Sequence, residues 1–228
     1  MDVHRSTGYT PTLKLQDCVA LWHQRCPLHA KTGTILEDVG VLVSWLRHSY
    51  ATDASLFSHI GIPQTWISPL LHQCLMLKPL ERAEETSASC GQMLQEAIRL
   101  AVIMFLAPVR RAFRVMTGEA TVLATNLRAA LEQCPKEAWI GFETLQLWII
   151  SVSGMEIVST SRDASINMIE TRSWFCQEMA SWRREAGSRA DDTTRDTMID
   201  MLRGFAWIEA IHDAPFTQLM DACETCTQ

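Results

Sequence analysis

Residues 136–153 read KEAWIGFETLQLWIISVS, and this stretch decides the fold. Pro135 opens it, as proline does next to a helix start. Drawn as a helix, the stretch carries apolar side chains on nearly every side: Trp139, Phe142, Leu145, Leu147, Trp148, Ile149, Ile150 and Val152. A helix that is apolar all round is stable in a globular protein only where other elements surround it. The sequence therefore predicts a central, very hydrophobic helix at about 136–153, with Gly154 allowing close packing or a bend.

Helical spacing of apolar side chains continues on both sides, and no run alternates apolar and polar residues long enough for a convincing strand. The pattern predicts helices at 13–24, 35–48, 64–77, 79–106, 118–133, 164–185, 193–211 and 216–223. Pro27 and Gly33 are expected to separate the first two, Pro108 to end a helix, and Pro63 and Pro215 to start one. The prediction is an all-α fold, with one multi-helix domain at 12–228 and a flexible N-terminus at 1–11.

The composition is that of a globular chain, since 47% of the 228 residues are hydrophobic and 20% are charged. The net charge is −6, whereas a protein that binds duplex nucleic acid needs an excess of Lys and Arg to displace counterions. Direct binding to nucleic acid is therefore not expected. A local basic cluster of Arg110, Arg111 and Arg114 is interpreted as the solvated start of a helix after Pro108, in preference to an anion site.

The sequence predicts neither secretion nor a membrane span. Its N-terminal residues lack the apolar segment of a signal peptide, and the longest apolar stretches fall short of the ~20 residues that a bilayer requires. An intracellular protein, nuclear or cytoplasmic, is expected. Most of the eight cysteines lie singly in apolar helical contexts, as reduced core thiols do. Cys223 and Cys226 form an isolated C-x-x-C, which is interpreted as a helix end and not as a metal site, because no second pair accompanies it.

The candidate catalytic groups are four polar residues: His72, Glu143, His212 and Asp213. A carboxylate or imidazole held in apolar surroundings has a shifted pKa and can transfer protons. Each residue also has a structural interpretation. His72 fits the boundary of a core. Glu143, like Glu156, can face outward or pair with an arginine, and Asp213 can cap a helix that starts at Pro215. No nucleophile elbow, phosphate-binding glycine loop, dinucleotide fingerprint or HExxH is present, so no cofactor is predicted.

Large apolar side chains offer a second kind of site. The candidate pocket residues are Trp139, Phe142, Trp148, Met155, Trp174 and Trp207. Rings and methionines of this kind line most small-molecule pockets, and they could form one between helices. Ordinary core packing by large aromatic rings and adaptable methionines is the alternative interpretation.

Several blocks follow one another in an order that resembles a known family. They are EAIRLAVIMFL (96–106), LRAALE (127–132), LQLWIISVSGMEI (145–157), RSWFCQEM (172–179) and MLRGFAWIEAIHDAPFTQLMDAC (201–223), with IGIPQTWISPLLHQCLML (60–77) before them. Over about residues 36–223 the chain resembles the fungal-specific transcription factor domain, which is the C-terminal regulatory domain of fungal zinc-cluster transcription factors. Family-like positions are occupied by Trp148, Gly154, Trp174, Phe175, Trp207 and Pro215.

The chain departs from that family at its N-terminal end. Members carry a zinc cluster of six closely spaced cysteines, whereas the first cysteines here are Cys18 and Cys26. The resemblance therefore implies a stand-alone regulatory or interaction module that does not bind DNA directly. Its expected partner is a small apolar effector or a protein, including a second copy or a related chain in a dimer. The alternative is a cofactor-free cyclase or isomerase of fungal secondary metabolism, which needs an apolar cavity and one or two acids or bases.

Overall fold

Helices build the protein throughout the part of the chain that this computed structural model describes, residues 8–59, 61–80, 88–115, 120–160, 166–187 and 195–226. No strand occurs in those ranges, so the all-α prediction is confirmed. The helices are α1 (Leu13–Arg25), α2 (Ala30–Thr52), α3 (Ser68–Met76), α4 (Cys90–Ala112), α5 (Ala120–Gln133), α6 (Glu143–Thr160), α7 (Ile166–Gly187), α8 (Arg195–Arg203) and α9 (Glu209–Cys226).

The predicted central helix is α6. It packs against α4, α5, α7, α8 and α9, and every residue from Leu147 to Ile157 is buried. The helix begins at Glu143 and not at 136, because Gly141 has a φ of +81°, a left-handed conformation that glycine adopts without strain. A short 3-10 turn, Lys136–Trp139, precedes it. The helix then extends through Gly154. A Cβ added there would lie only 3.0 Å from the two methyl groups of Leu219. The glycine therefore allows α9 to pack closely on α6.

The second core helix, α4, starts and ends at positions that the apolar pattern did not predict. It begins after Ser89, whose side chain accepts from the Gln92 N–H while the Gln92 side chain accepts from the Ser89 N–H, a capping box. The expected start at 79 is wrong, since Pro79 and Leu80 are not helical; the acidic segment 81–87 lies outside the described residues. Among those residues α4 alone is long and apolar enough to cross a bilayer, but 78% of its most apolar window is buried, as in a core helix.

Pro108 lies inside α4, so the prediction that it ends the helix is wrong. One more turn follows, and it is closed by two backbone bonds: Val115 donates to Arg110 (3.0 Å) and Arg114 donates to Arg111 (2.8 Å). This is a Schellman ending, with Arg114 at φ +60° in the place that glycine usually takes. The arginine cluster therefore lies at the C-terminal end of a helix, and its interpretation as a helix start is also wrong.

The C-terminal corner differs from the prediction as well. The expected helix at 193–211 stops at Arg203, and residues 204–208 form a non-helical connection, here called the aromatic loop (Gly204, Phe205, Ala206, Trp207 and Ile208). Four of its five residues, all except Gly204, are no more than 1% exposed. From Glu209 a single helix, α9, runs to Cys226 with Pro215 inside it. The break predicted between 211 and 216 is therefore wrong, because the two helices are separated at 204–208 instead.

The N-terminal third follows the predicted order of helices, with several boundaries changed. Pro63 starts a π-helical turn, Pro63–Ile67, which α3 continues from Ser68. Helix α2 begins at Ala30 and continues through Gly33, where Trp22 and His23 of α1 pack directly against it. The break expected at Gly33 is therefore wrong. Of the N-terminal segment at 1–11, residues 1–7 lie outside the described part, and Tyr9 contacts His48 of α2 with its ring.

Candidate functional site

A cleft opens where α4, α6 and α9 meet the end of α2. Its volume is about 550 Å³, which is within the range of small-molecule sites. We call it the proline cleft, because a helix-interior proline lies on each of two walls; its principal residues are Tyr50, Phe57, Pro108, Arg111, Val152, Met155, Glu156, Ala210, His212 and Pro215. Two other clefts have similar volumes, about 510 and 560 Å³. The proline cleft is distinguished by its chemistry, because an ion pair with a buried carboxylate and a buried imidazole both line it.

The two prolines each remove one helical hydrogen bond at this place without ending the helix. A proline has no N–H, so the carbonyl four residues earlier loses its helical donor and the helix bends or loosens locally. Pro108 removes the donor for Met104 in α4, and Pro215 removes the donor for Ile211 in α9. Both prolines line the same cleft.

The ion pair joins α4 to α6 at the cleft wall. Arg111 donates both terminal N–H groups to the two carboxylate oxygens of Glu156, at 2.6 and 2.5 Å. Glu156 is buried, whereas the Arg111 side chain remains about one-third exposed. A buried carboxylate needs such a partner, because removing a charge from water costs several kcal/mol. Of the two alternatives for Glu156, pairing with an arginine is confirmed.

His212 lies in the same cleft and is 1% exposed. Its ring contacts the rings of Phe105 and Trp207, each with the centroids 5.0 Å apart. The Ile208 N–H donates to Nδ1 at 3.0 Å, so the neutral imidazole carries its proton on Nε2. Burial lowers the pKa of His212 from 6.5 to about 3. At neutral pH the residue is therefore an uncharged donor and a weak base.

The aromatic loop depends on side chains for its buried backbone groups. Thr12 donates to the Phe205 carbonyl (2.9 Å), Trp148 Nε1 donates to the Ala206 carbonyl (2.7 Å), and His212 accepts from the Ile208 N–H (3.0 Å). Buried backbone groups are almost always paired in this way. Trp148 and His212 thus hold the loop in place, and sequence reasoning missed both roles because it predicted a helix through the loop.

The other three candidate catalytic residues do not line the proline cleft. His72 is exposed on α3. Glu143 is half-buried at the start of α6 and accepts from the Gly141 N–H at 3.0 Å. Asp213 accepts from Arg203 at 2.5 Å and from Trp207 Nε1 at 2.8 Å. Because Asp213 lies inside α9, its expected role as the cap of a helix starting at Pro215 is wrong.

The six candidate pocket residues lie mostly in the core. Trp148 and Trp207 are fully buried, and Trp139 and Phe142 are nearly so. Trp174 is half-buried on α7, with its ring 4.9 Å from that of Phe175. Of the six, only Met155 lines one of the three clefts described above. The sequence did contain a signal for the cleft, namely the two prolines, but they were interpreted as helix boundaries.

The described residues contain no group of three or more His, Cys, Asp or Glu side chains placed to hold a metal ion. The side chain of Cys226, in the isolated C-x-x-C, lies outside the described part. Comparison with known proteins adds no relative: no protein family, no curated protein and no solved structure matches this chain.

Proposed function

We propose that this chain forms a regulatory module that binds a small, largely apolar molecule in the proline cleft. The observation that carries the proposal is the cleft itself, about 550 Å³, with walls from three core helices. Apolar side chains, among them Val152, Met155 and Pro215, make up much of its lining. A few convergent polar groups complete it, which is the usual composition of a small-molecule site.

The polar groups of the cleft favour binding over catalysis. A cyclase or isomerase needs an acid or base that is free to exchange protons with its substrate. Glu156 is held by both terminal N–H groups of Arg111, and the Nδ1 lone pair of His212 is occupied by the Ile208 N–H. Among the four candidate catalytic residues, only His212 lines the proline cleft. The enzymatic alternative is therefore not preferred.

The broader role rests on the resemblance to the fungal-specific transcription factor domain and on charge. A net charge of −6 disfavours direct contact with nucleic acid. A module of this kind would act in the nucleus or cytoplasm by binding an effector and pairing with another chain, and fungal secondary metabolism is the proposed setting. An effector that binds at the junction of α4, α6 and α9 would stabilise one arrangement of these three helices over others. A partner chain that recognises this arrangement would then bind more tightly.

The experiment is a titration with N-phenyl-1-naphthylamine, an uncharged apolar dye that fluoresces when removed from water. Wild type is compared with Ala210→Trp, which adds an indole to an exposed residue of the cleft wall. The matched control is Ala30→Trp, another exposed alanine, at the first residue of α2. Because α2 rises 1.5 Å per residue, Ala30 lies about 30 Å along the helix from Tyr50 at the cleft.

Saturable binding to wild type and to Ala30→Trp is expected, with affinity at least about tenfold weaker in Ala210→Trp. Circular dichroism of all three proteins confirms that they are equally helical. If the dye binds Ala210→Trp as tightly as wild type, or binds none of the three, the proline cleft is not a ligand site.

A further inference from the structure

We propose that the ligand of the proline cleft carries an uncharged oxygen acceptor, a ketone, quinone or ester carbonyl, that receives a hydrogen bond from Nε2 of His212. This inference rests on the proposed function and narrows it to a class of ligand. It follows from one buried, unpartnered polar atom of a residue that lines the cleft, and from the surroundings of that atom.

The state of His212 is set by the aromatic loop. The Ile208 N–H donates to Nδ1, so that nitrogen is an acceptor and the ring proton is on Nε2. Protonating Nδ1 would break this bond and place a charge among the rings of Phe105 and Trp207. The imidazole therefore offers its second nitrogen as a donor and not as an acceptor.

That donor has no partner among the residues that the structure describes. Nε2 of His212 is buried and makes no hydrogen bond to any described residue. A buried donor left in this state costs about 1–3 kcal/mol, and native structures rarely leave one unless another molecule completes it. His212 lines the proline cleft, so a ligand in that cleft is the molecule placed to accept the bond. Met155 lines it as well, and its flexible side chain can shift to admit a ligand atom.

The cleft also limits the charge of the ligand group. A ligand amine or hydroxyl seeking an acceptor at His212 finds Nδ1 already occupied. An anion would have to give up its hydration for a neutral donor, in a cleft that the buried carboxylate of Glu156 also lines, and Arg111 already pairs with that carboxylate. A carbonyl oxygen has little hydration to lose and supplies the acceptor that is missing.

The test uses a matched pair of probes, 9-fluorenone and fluorene, which share one flat ring skeleton and differ by the carbonyl. Dissociation constants are measured by displacement of N-phenyl-1-naphthylamine from wild type and from His212→Phe, which keeps an aromatic ring and removes the donor. The quantity compared is the preference for fluorenone over fluorene, so that the lower water solubility of fluorene cancels between the two proteins.

The preference is expected to fall about tenfold in His212→Phe, the loss of one hydrogen bond to a buried donor. An unchanged preference, with both probes bound, overturns this inference and leaves the proposed function standing. Failure of both probes and of the dye to bind wild type overturns the two together.

His212→Phe also removes the acceptor of the Ile208 N–H, and the variant could fail to fold. Nitrogen NMR of wild type labelled with ¹⁵N-histidine then decides. The Nε2 resonance of His212 is identified by its absence from the spectrum of His212→Gln, and it is expected to shift on addition of fluorenone but not of fluorene. Equal shifts with both probes, or none with either at saturation, overturn the inference.

Discussion

His212 shows how a single side chain links the fold to the cleft. It supplies an acceptor to the buried Ile208 N–H of the aromatic loop, and it lines the proline cleft while its second nitrogen is buried without a partner among the described residues. The sequence identified His212 as a residue of interest. It could not reveal either role, because a helix was predicted through 193–211. A helix there would pair the Ile208 N–H with a backbone carbonyl and leave no bond for the imidazole to make.

The buried imidazole makes stability depend on pH. Burial lowers the pKa of His212 to about 3 in the folded protein, whereas the unfolded chain takes up a proton near pH 6.5. Stability is therefore complete above pH 6.5 and falls as pH falls from 6.5 towards 3, by about 1.4 kcal/mol per unit.

Urea unfolding at pH 7.5 and pH 5 is expected to show wild type losing about 2 kcal/mol more than His212→Gln, whose amide can accept the same bond without titrating. His72→Gln, at an exposed site, should behave as wild type; equal losses in wild type and His212→Gln would refute this assignment.

The cysteines should differ sharply in reactivity. Burial raises the pKa of Cys18, Cys74 and Cys134 to about 12, so almost no thiolate is present at pH 8. Cys90 is exposed at the start of α4. Iodoacetamide at pH 8 should modify Cys90 quickly and the other three only after unfolding, as peptide mass mapping can measure. Modification of all four at one rate in the native protein would contradict the described core.

At the scale of elements, the interiors of helices were predictable and several of their ends were not. The apolar pattern on all sides of α6 predicted its position, because a helix that is buried on every side has apolar residues on every side. The helix end predicted at Pro108 and the helix start predicted at Pro215 are wrong, because a helix tolerates an internal proline when packing compensates for the lost hydrogen bond. Val109 is fully buried just past the first proline, and Phe216 just past the second, so continuing each helix buries apolar surface.

Close packing of α9 on α6 depends on the absence of a side chain at residue 154. The methyl groups of Leu219 lie 3.0 Å from where a Cβ of residue 154 would be. Gly154→Val is expected to lower the free energy of unfolding by about 2 kcal/mol through overpacking. Leu219→Ala alone should cost about 2–5 kcal/mol. Denaturant unfolding of the double variant should show a loss of free energy of unfolding at least about 1 kcal/mol smaller than the sum of the losses in the two single variants. Simple additivity would mean that the side chains at 154 and 219 do not compete for the same space.

The end of α4 offers a stabilising change. Arg114 holds a left-handed conformation that costs a residue with a Cβ about 1 kcal/mol. Arg114→Gly removes that strain and is expected to raise the free energy of unfolding by about 0.5–1 kcal/mol, the gain being reduced by the greater freedom of glycine in the unfolded chain. Arg114→Ala is the control, since it removes the same exposed side chain but keeps the Cβ. A gain of equal size in both variants would trace the effect to the arginine charge and not to the backbone.

At the scale of the whole molecule, one apolar cluster joins residues from all nine described helices, with α4 and α6 at its centre. The sequence predicted this architecture because the spacing of apolar residues along the chain indicates both the helices and their buried faces. It did not predict the proline cleft, whose walls come from segments more than 100 residues apart, such as Tyr50 and His212. Such proximity is a property of packing, and the residues concerned have no common pattern in sequence.

The central claim is that a small, largely apolar molecule occupies the proline cleft. It is tested most directly by purifying wild type, Ala210→Trp and Ala30→Trp from the native cells, extracting each with organic solvent and analysing the extracts by mass spectrometry. A compound present in stoichiometric amount with wild type and Ala30→Trp, and lost with Ala210→Trp, is the predicted result. Extracts that hold no such compound, or that hold it equally in all three, would contradict the account.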